Sequence, residues 1–379
     1  MTAPSTIAPA TLAPADVTSR PGRIASLDVV RGVFLLVSVA CEAVLAPRGD
    51  ALTHARWASV HPIDLIFPLF VTLSGCGLAF AYRNRVGWVA TVRRSLVLLV
   101  VGLIYMAITT ESAHPATLKV TGPLQVYAVL VLVIGVLHLV ARGVRAWLLI
   151  TLLAAGAQLV MLLLFQAHCP GNELLPTCNP SRTIDFAVFG TQHLYHFGAL
   201  GHDPEGIPSI IGAFVTASAG VTAGHLALTM RGTRRAPLYL FGLAVGLAGI
   251  AAATYPTVPM MKRLWTTPFA LGIGALGVLI LALGMAVMDS PASPTWTRLR
   301  ARLAWPLIAL GRNSLLVYFG SHIAVFILLM RGGTPSWAVQ SADRVDFLGN
   351  PRASFVTGNV IAWLVIAGVL HWRRIYLRP

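Results

Sequence analysis

A chain of 379 residues that is 56% hydrophobic and only 11% charged falls far below the charged content of about 25% usual in soluble domains, so its solvent is mostly lipid. Its net charge of +15 does not point to nucleic acid, because the basic residues sit in short loops between apolar runs and no basic domain stands apart. Residues 1–22, rich in Ala, Pro and Thr, lack the apolar core of a signal peptide and read as a disordered cytoplasmic tail. Residues 23–379 read as one transmembrane domain, an all-α polytopic bundle without a visible internal repeat.

Taken in order, apolar stretches bounded by charge, Gly or Pro predict about ten transmembrane helices, over 29–47, 61–82, 92–110, 123–141, 146–166, 208–230, 236–254, 267–288, 305–330 and 353–372. With the N-terminus inside, 18 of the 28 Lys and Arg residues fall on the cytoplasmic side, which favours both termini in the cytoplasm. The longest connection, 167–207, then becomes an extracytoplasmic cap. Cys169 and Cys178 lie in it, on the oxidising side, and are expected to form a disulfide, whereas Cys41 and Cys76 fall within spans as packing residues.

Charged groups in or beside spans need partners or a polar cavity, since each costs about 2.5–3.5 kcal/mol at the centre of a span on insertion scales. In Arg23 to Gly32, Asp28 and Arg31 share a helical face, as an ion pair at the inner interface or as contacts to a phosphate-bearing ligand. Glu42 follows near the outer end of the first span, then His54 in the loop, then His61 and Asp64 at the start of the second. These are placed to converge on one pocket, where a carboxylate would fix the histidine's tautomer and raise its basicity. His54 read alone is more often a solvated loop residue than a catalytic one. The cap is dense in polar groups, among them Asp185, His193, Tyr195, His196, His202, Asp203 and Glu205, but the spacing matches no metal motif and no metal is expected. The ninth span carries Arg312, Asn313, Ser314, Tyr318 and His322 along one stripe, a site lining or a polar packing face.

Seven segments occur in one order along nearly the whole chain: RIASLDVVRG from Arg23, HARWASVHPIDLIFPLF from His54, GPLQ from Gly122, HLY from His193, DPEG from Asp203, KRLWT from Lys262 and LGRNSLLVYFGSHI from Leu310. This ordered set resembles the heparan-alpha-glucosaminide N-acetyltransferase family. The resemblance implies a transmembrane enzyme that takes acetyl from cytoplasmic acetyl-CoA and delivers it to a glucosamine amine across the membrane. The family's active-site histidine maps onto His54, and Glu42 stands where the family has an active-site asparagine. An ionised carboxylate there cannot donate a hydrogen bond to an oxyanion, although it can accept a proton or orient a histidine. Lysosomal members carry an additional N-terminal luminal region and span, so this chain is expected to be a minimal core in a bacterial plasma membrane.

On this reading the catalytic group is His54 with Glu42 and Asp64. Asp203, Glu205, Lys262 and Trp265 face the acceptor, and Asn313, Tyr318 and His322 are candidate donors to the thioester oxygen. Arg23, Asp28, Arg31 and Ser314 serve the CoA donor. Direct transfer in a ternary complex is favoured, and a covalent acetyl-histidine is the alternative. The expected partners are acetyl-CoA, an amino-sugar or glycan acceptor, the bilayer and a second copy of the chain as a homodimer, with no nucleic acid. A transporter or flippase for a polar sugar or lipid, an O-acyltransferase of envelope glycans and a non-enzymatic scaffold are rivals, and acetyl-CoA hydrolysis or exchange separates the enzymes from the other two. The topology is testable by cysteine labelling in intact cells. Residue 233 should be protected and residue 171 accessible, and finding both on one side overturns the assignment.

Overall fold

The computed structural model describes residues 24–290 and 293–376. The tail 1–22 and Arg23 lie outside them. Thirteen α-helices follow in order: α1 (Ala25–Glu42), α2 (Ile66–Tyr82), α3 (Trp88–Thr109), α4 (Pro123–Leu137), α5 (Val144–His168), α6 (Pro180–Phe189), α7 (Ile207–Thr229), α8 (Ala236–Thr254), α9 (Thr267–Met288), α10 (Pro294–Arg312), α11 (Ser314–Met330), α12 (Trp337–Arg344) and α13 (Pro351–Trp372). Among the described residues there is no strand beyond one isolated bridge between Leu175 and Cys178.

Seven helices are long and apolar enough to cross a membrane, and α10 with α11 makes an eighth as a bent pair. The expected ten is therefore approximate. The first expected span corresponds to α1, whose 18 residues carry Asp28, Arg31 and Glu42, and the fourth to α4, which has only 15 residues. The ninth, expected as one helix over 305–330, is instead bent by 72° between Arg312 and Ser314, where Asn313 leaves helical geometry at φ −109°, ψ 28°. α1 is fixed against the first half of the bent pair. The helix packs backbone to backbone on α10, where a Cβ at Gly32 would meet the Leu307 carbonyl and one at Gly311 the Asp28 carbonyl.

The centre of the bundle is the α2–α7 seam. A side chain at Gly75 would collide with the Ala217 carbonyl, and one at Gly220 with the Thr72 carbonyl; Gly224 fits between Cys76 and Ala79. Gly220 and Gly224 are four apart on one face of α7, the spacing that lets helix backbones approach closely in lipid, where dispersion and hydrogen bonding replace the hydrophobic effect. Around this seam α5, α8 and α13 turn Leu153, Leu164, Leu238, Phe241, Val245 and Val365 outward, an apolar surface suited to a bilayer. The chain is a multi-pass membrane protein.

Residues 167–207 form a folded cap. The expected Cys169–Cys178 disulfide is present with the Cα atoms 5.7 Å apart. Asn179 caps α6 by accepting from the Arg182 amide at 2.9 Å. Asp185 accepts from the Ile207 amide at 2.7 Å, placing a carboxyl at the positive end of α7. The seam yields a prediction. Gly220→Val should lower stability by about 1–3 kcal/mol through overpacking, read as a lower thermal midpoint in detergent, and an unchanged midpoint would mean that α2 and α7 are not in backbone contact.

Candidate active site

The turn Pro62–Leu65 leads into α2 and buries Asp64 at 1% exposure. A carboxylate this enclosed must be satisfied on both oxygens. One oxygen accepts from the amides of Ala55 and His61, at 3.1 and 3.0 Å, and the other meets Nδ1 of His54 at 2.7 Å. The loop is tied down from behind by Arg263, whose Nε donates to the Ala55 carbonyl at 2.8 Å. His54 Nδ1–H thus points at Asp64, and Nε2 makes no hydrogen bond among the described residues.

His54 and Asp64 line a cavity of about 530 Å³ together with Glu42, Glu205, Lys262, Tyr318 and His322. Seven of the residues expected at a site are therefore brought together. Their partnerships differ from the expectation, however. Glu42 does not support His54; its carboxylate pairs with Nδ1 of His322, half-way along α11. Glu205, expected to hold the acceptor, is bound by Lys119 Nζ at 2.8 Å.

The remaining expected residues stand elsewhere. Asp203 is wholly buried behind the wall, accepting from Thr121 Oγ1 at 2.7 Å and from the amides of Tyr195 and Glu205 at 2.9 Å each, so it organises the cap. Trp265 is buried at a left-handed backbone position, φ +47°, with its indole donating to Thr216 Oγ1 at 2.9 Å and its carbonyl accepting from Gln158 at 2.8 Å. It anchors the connection carrying Lys262 rather than facing the cavity. Asn313 and Ser314 sit at the α10–α11 bend, where Asn313 Nδ2 donates to the Ala309 carbonyl at 3.2 Å, and neither lines the cavity. Asp28 and Arg31 are likewise not in its lining; Arg31 donates to the Leu73 carbonyl at 2.8 Å. Sequence reasoning missed Tyr105 and Lys119, which do line it. Lys119 is a lone cation just before the GPLQ segment, a signal visible only when its partner 86 residues away is known.

Burial disfavours the Lys119 ammonium, but Glu205 and Asp203 outweigh it and raise its pKa above that of an ordinary lysine. Burial opposes ionisation of Glu205 too, and Lys119 and Lys262 still hold its pKa below the usual carboxylate range. Lys262 differs. It is 8% exposed and makes no hydrogen bond or ion pair among the described residues, and burial lowers its pKa despite the attraction of Glu205. No cluster of three or more His, Cys, Asp or Glu suited to a metal occurs among the described residues.

A family model described as the catalytic region of heparan-alpha-glucosaminide N-acetyltransferase matches residues 23–236, more than half of the chain. The chain belongs to this family. Heparan-alpha-glucosaminide N-acetyltransferase of Homo sapiens is 23% identical over 423 residues, covering 94% of this chain. The chain spans 60% of that relative's length. The family match includes α1, the His54 loop, α2 and the cap, so His54, Asp64, Lys119 and Glu205 fall within it. His322 lies beyond it, as does Lys262.

Beside the site, His202 packs its ring 5.0 Å from Trp57, donates from Nδ1 to the Leu200 carbonyl at 2.9 Å and leaves Nε2 buried without a partner. Burial pushes its pKa down from 6.5 to about 4. The folded value lies below the unfolded one, so the contribution to stability is full above pH 6.5 and is lost as pH falls towards 4, by about 3 kcal/mol in all. His202→Gln removes this titration. The wild-type thermal midpoint should fall relative to that of His202→Gln between pH 6.5 and 4, and parallel curves would contradict the burial of a neutral imidazole.

Proposed function

We propose that the chain is a membrane acetyltransferase that moves acetyl from cytoplasmic acetyl-CoA to the amine of an extracytoplasmic amino sugar, in a bacterial plasma membrane with both termini cytoplasmic. The observation that carries this reading is the His54–Asp64 pair at the wall of a cavity roofed by the polar cap. The relative's name supplies the reaction class, and the cavity supplies groups able to perform it.

An amino-sugar amine is mostly protonated near neutral pH and has to lose a proton before it can attack a thioester. His54 takes that proton at Nε2, because Asp64 occupies Nδ1 and stabilises the imidazolium that results. The amine then attacks the carbonyl carbon and charge gathers on the carbonyl oxygen. Lys262, the cavity's lysine without a protein partner among the described residues, supplies a positive charge for that oxygen, which is worth more in a desolvated site than in water. Tyr318 and Tyr105 line the same cavity and offer hydroxyl donors. Glu205, neutralised by Lys119, stiffens the wall and does not add free negative charge.

The test is acetyl transfer by purified protein in detergent, with acetyl-CoA as donor and glucosamine as acceptor, read as N-acetylglucosamine by mass spectrometry. Wild-type protein should form product, and His54→Ala should lower the rate by about 10²–10⁴-fold with an unchanged thermal midpoint. Neither transfer nor thiol release by the wild type would sink the acetyltransferase reading. Full activity of His54→Ala would sink the role of the histidine alone.

A further inference from the structure

The cavity holds two carboxylate–imidazole pairs, one from the α2 entry and one joining α1 to α11. In each, a carboxylate occupies Nδ1: Asp64 on His54 and Glu42 on His322. In each, Nε2 makes no hydrogen bond among the described residues. Both pairs line the same space. A single general base needs only one such pair.

The two differ in position. His54 lies on the connection before α2, outside the helices, with its side chain 54% exposed, whereas His322 is half-way along α11 with its side chain 39% exposed. His54 is therefore the more exposed of the two and His322 the more enclosed, with its ring 5.6 Å from that of Tyr105. The groups around the Glu42–His322 pair are Cys41 and Arg48 from the α1 end, Tyr105 from α3 and Tyr318 from α11. Arg48 is turned away from the carboxylate to backbone: its guanidinium donates to the carbonyls of Val44 and Glu42 at 2.6 and 3.0 Å.

Building on the acetyl-transfer reading, we propose that His322 is the general acid that protonates the departing sulfur of the acyl donor, with Glu42 as its positioning residue, while His54 serves the attacking amine. The proton balance closes. His54 Nε2 passes the ammonium's first proton to solvent and is neutral again when the amine attacks; as the C–N bond forms, the nitrogen gives its second proton to His54 Nε2. The C–S bond then breaks, its electron pair passes to sulfur, and sulfur takes a proton from His322 Nε2 as the carbonyl re-forms. His54 ends protonated and His322 neutral, and one proton returned through the solvent in the cavity resets both. A thiolate leaves readily in water, but beside the Glu42 carboxylate in this cavity it would be partly desolvated, and an anion there is costly. Protonation as the bond breaks removes that penalty.

The test is dependence on the leaving group. Rates of thiol release in the presence of glucosamine are compared for acetyl-CoA and for the acetyl thioester of an aryl thiol, whose thiolate leaves without protonation. His322→Gln should lose about 10²–10⁴-fold with acetyl-CoA, and Glu42→Gln a smaller factor in the same direction. Both should recover to within about tenfold of wild type with the aryl thioester, while His54→Ala stays impaired with both donors. A merely structural role would depress both donors alike, so absence of recovery overturns the proposal, as does a wild-type rate of His322→Gln with acetyl-CoA. Glu42→Gln, nearly isosteric, carries the same test should His322→Gln fail to fold. Inactivity of the wild-type protein with both thioesters would instead count against the acetyltransferase reading itself.

Discussion

The geometry of the candidate site depends on one buried carboxylate. Asp64 is almost inaccessible at the entry to α2, and an ionised group there is tolerable only if every lone pair finds a donor. The amides of Ala55 and His61 and the ring of His54 meet that need, so the loop 53–61 is shaped by the requirement to point two N–H groups inward. The carboxylate cannot drift, because α2 is pressed against α7 through Gly75, Gly220 and Gly224. Arg263 then links the Ala55 carbonyl to the connection that carries Lys262. The position of His54 in its loop is thus inherited from a close-packed helix pair.

The cavity's electrostatics follow from the same need to satisfy charge in a low-dielectric surrounding. Asp64, Glu42 and Glu205 each have a cationic or titratable partner, and Lys119 is spent on Glu205. Carboxylates arranged in this way do not form an acidic cage for a cationic sugar. They orient imidazoles and a lysine, and they leave Lys262 facing the cavity without a counter-ion of its own among the described residues. Such a site suits chemistry that develops negative charge on an oxygen better than simple capture of an ammonium group.

Much of this was legible in the sequence because charge is expensive in a chain so apolar: His54, Asp64, Glu42, Glu205, Lys262, Tyr318 and His322 stand out against their surroundings, and all of them line one cavity. The pairing of His54 with Asp64, ten residues on, was legible, and that of Glu42 was not. Glu42 and His322 are 280 residues apart, and nearness in sequence favoured His54 as the partner of Glu42 instead. The bend at Asn313 was hidden because the apolar run 305–330 continues on both sides of it, and hydropathy is blind to backbone direction. Asn313, Trp265 and Asp203 looked like site residues for the same reason as the true cavity lining, since buried polar groups that hold helices or a cap together carry the same compositional signal.

The wall beneath the cavity bears on what the bundle is built to pass. Phe67 lines the cavity and stacks edge-on against Tyr127 and Trp265, at 5.6 and 5.5 Å between ring centres, while Tyr318 meets Phe70 at 5.6 Å and Phe70 meets Phe34 at 6.0 Å. These rings form one connected packed layer that reaches the cavity through Phe67 and Tyr318. A transporter of sugars would have to part the layer wide enough for a whole hydrated ring, breaking several aromatic contacts worth about 0.5–1.5 kcal/mol each beyond their burial. A thioester at the end of a slender chain needs only a narrow passage between side chains, with its bulky polar head left outside. Chemistry at the cavity, as proposed, asks less of this packing than transport does.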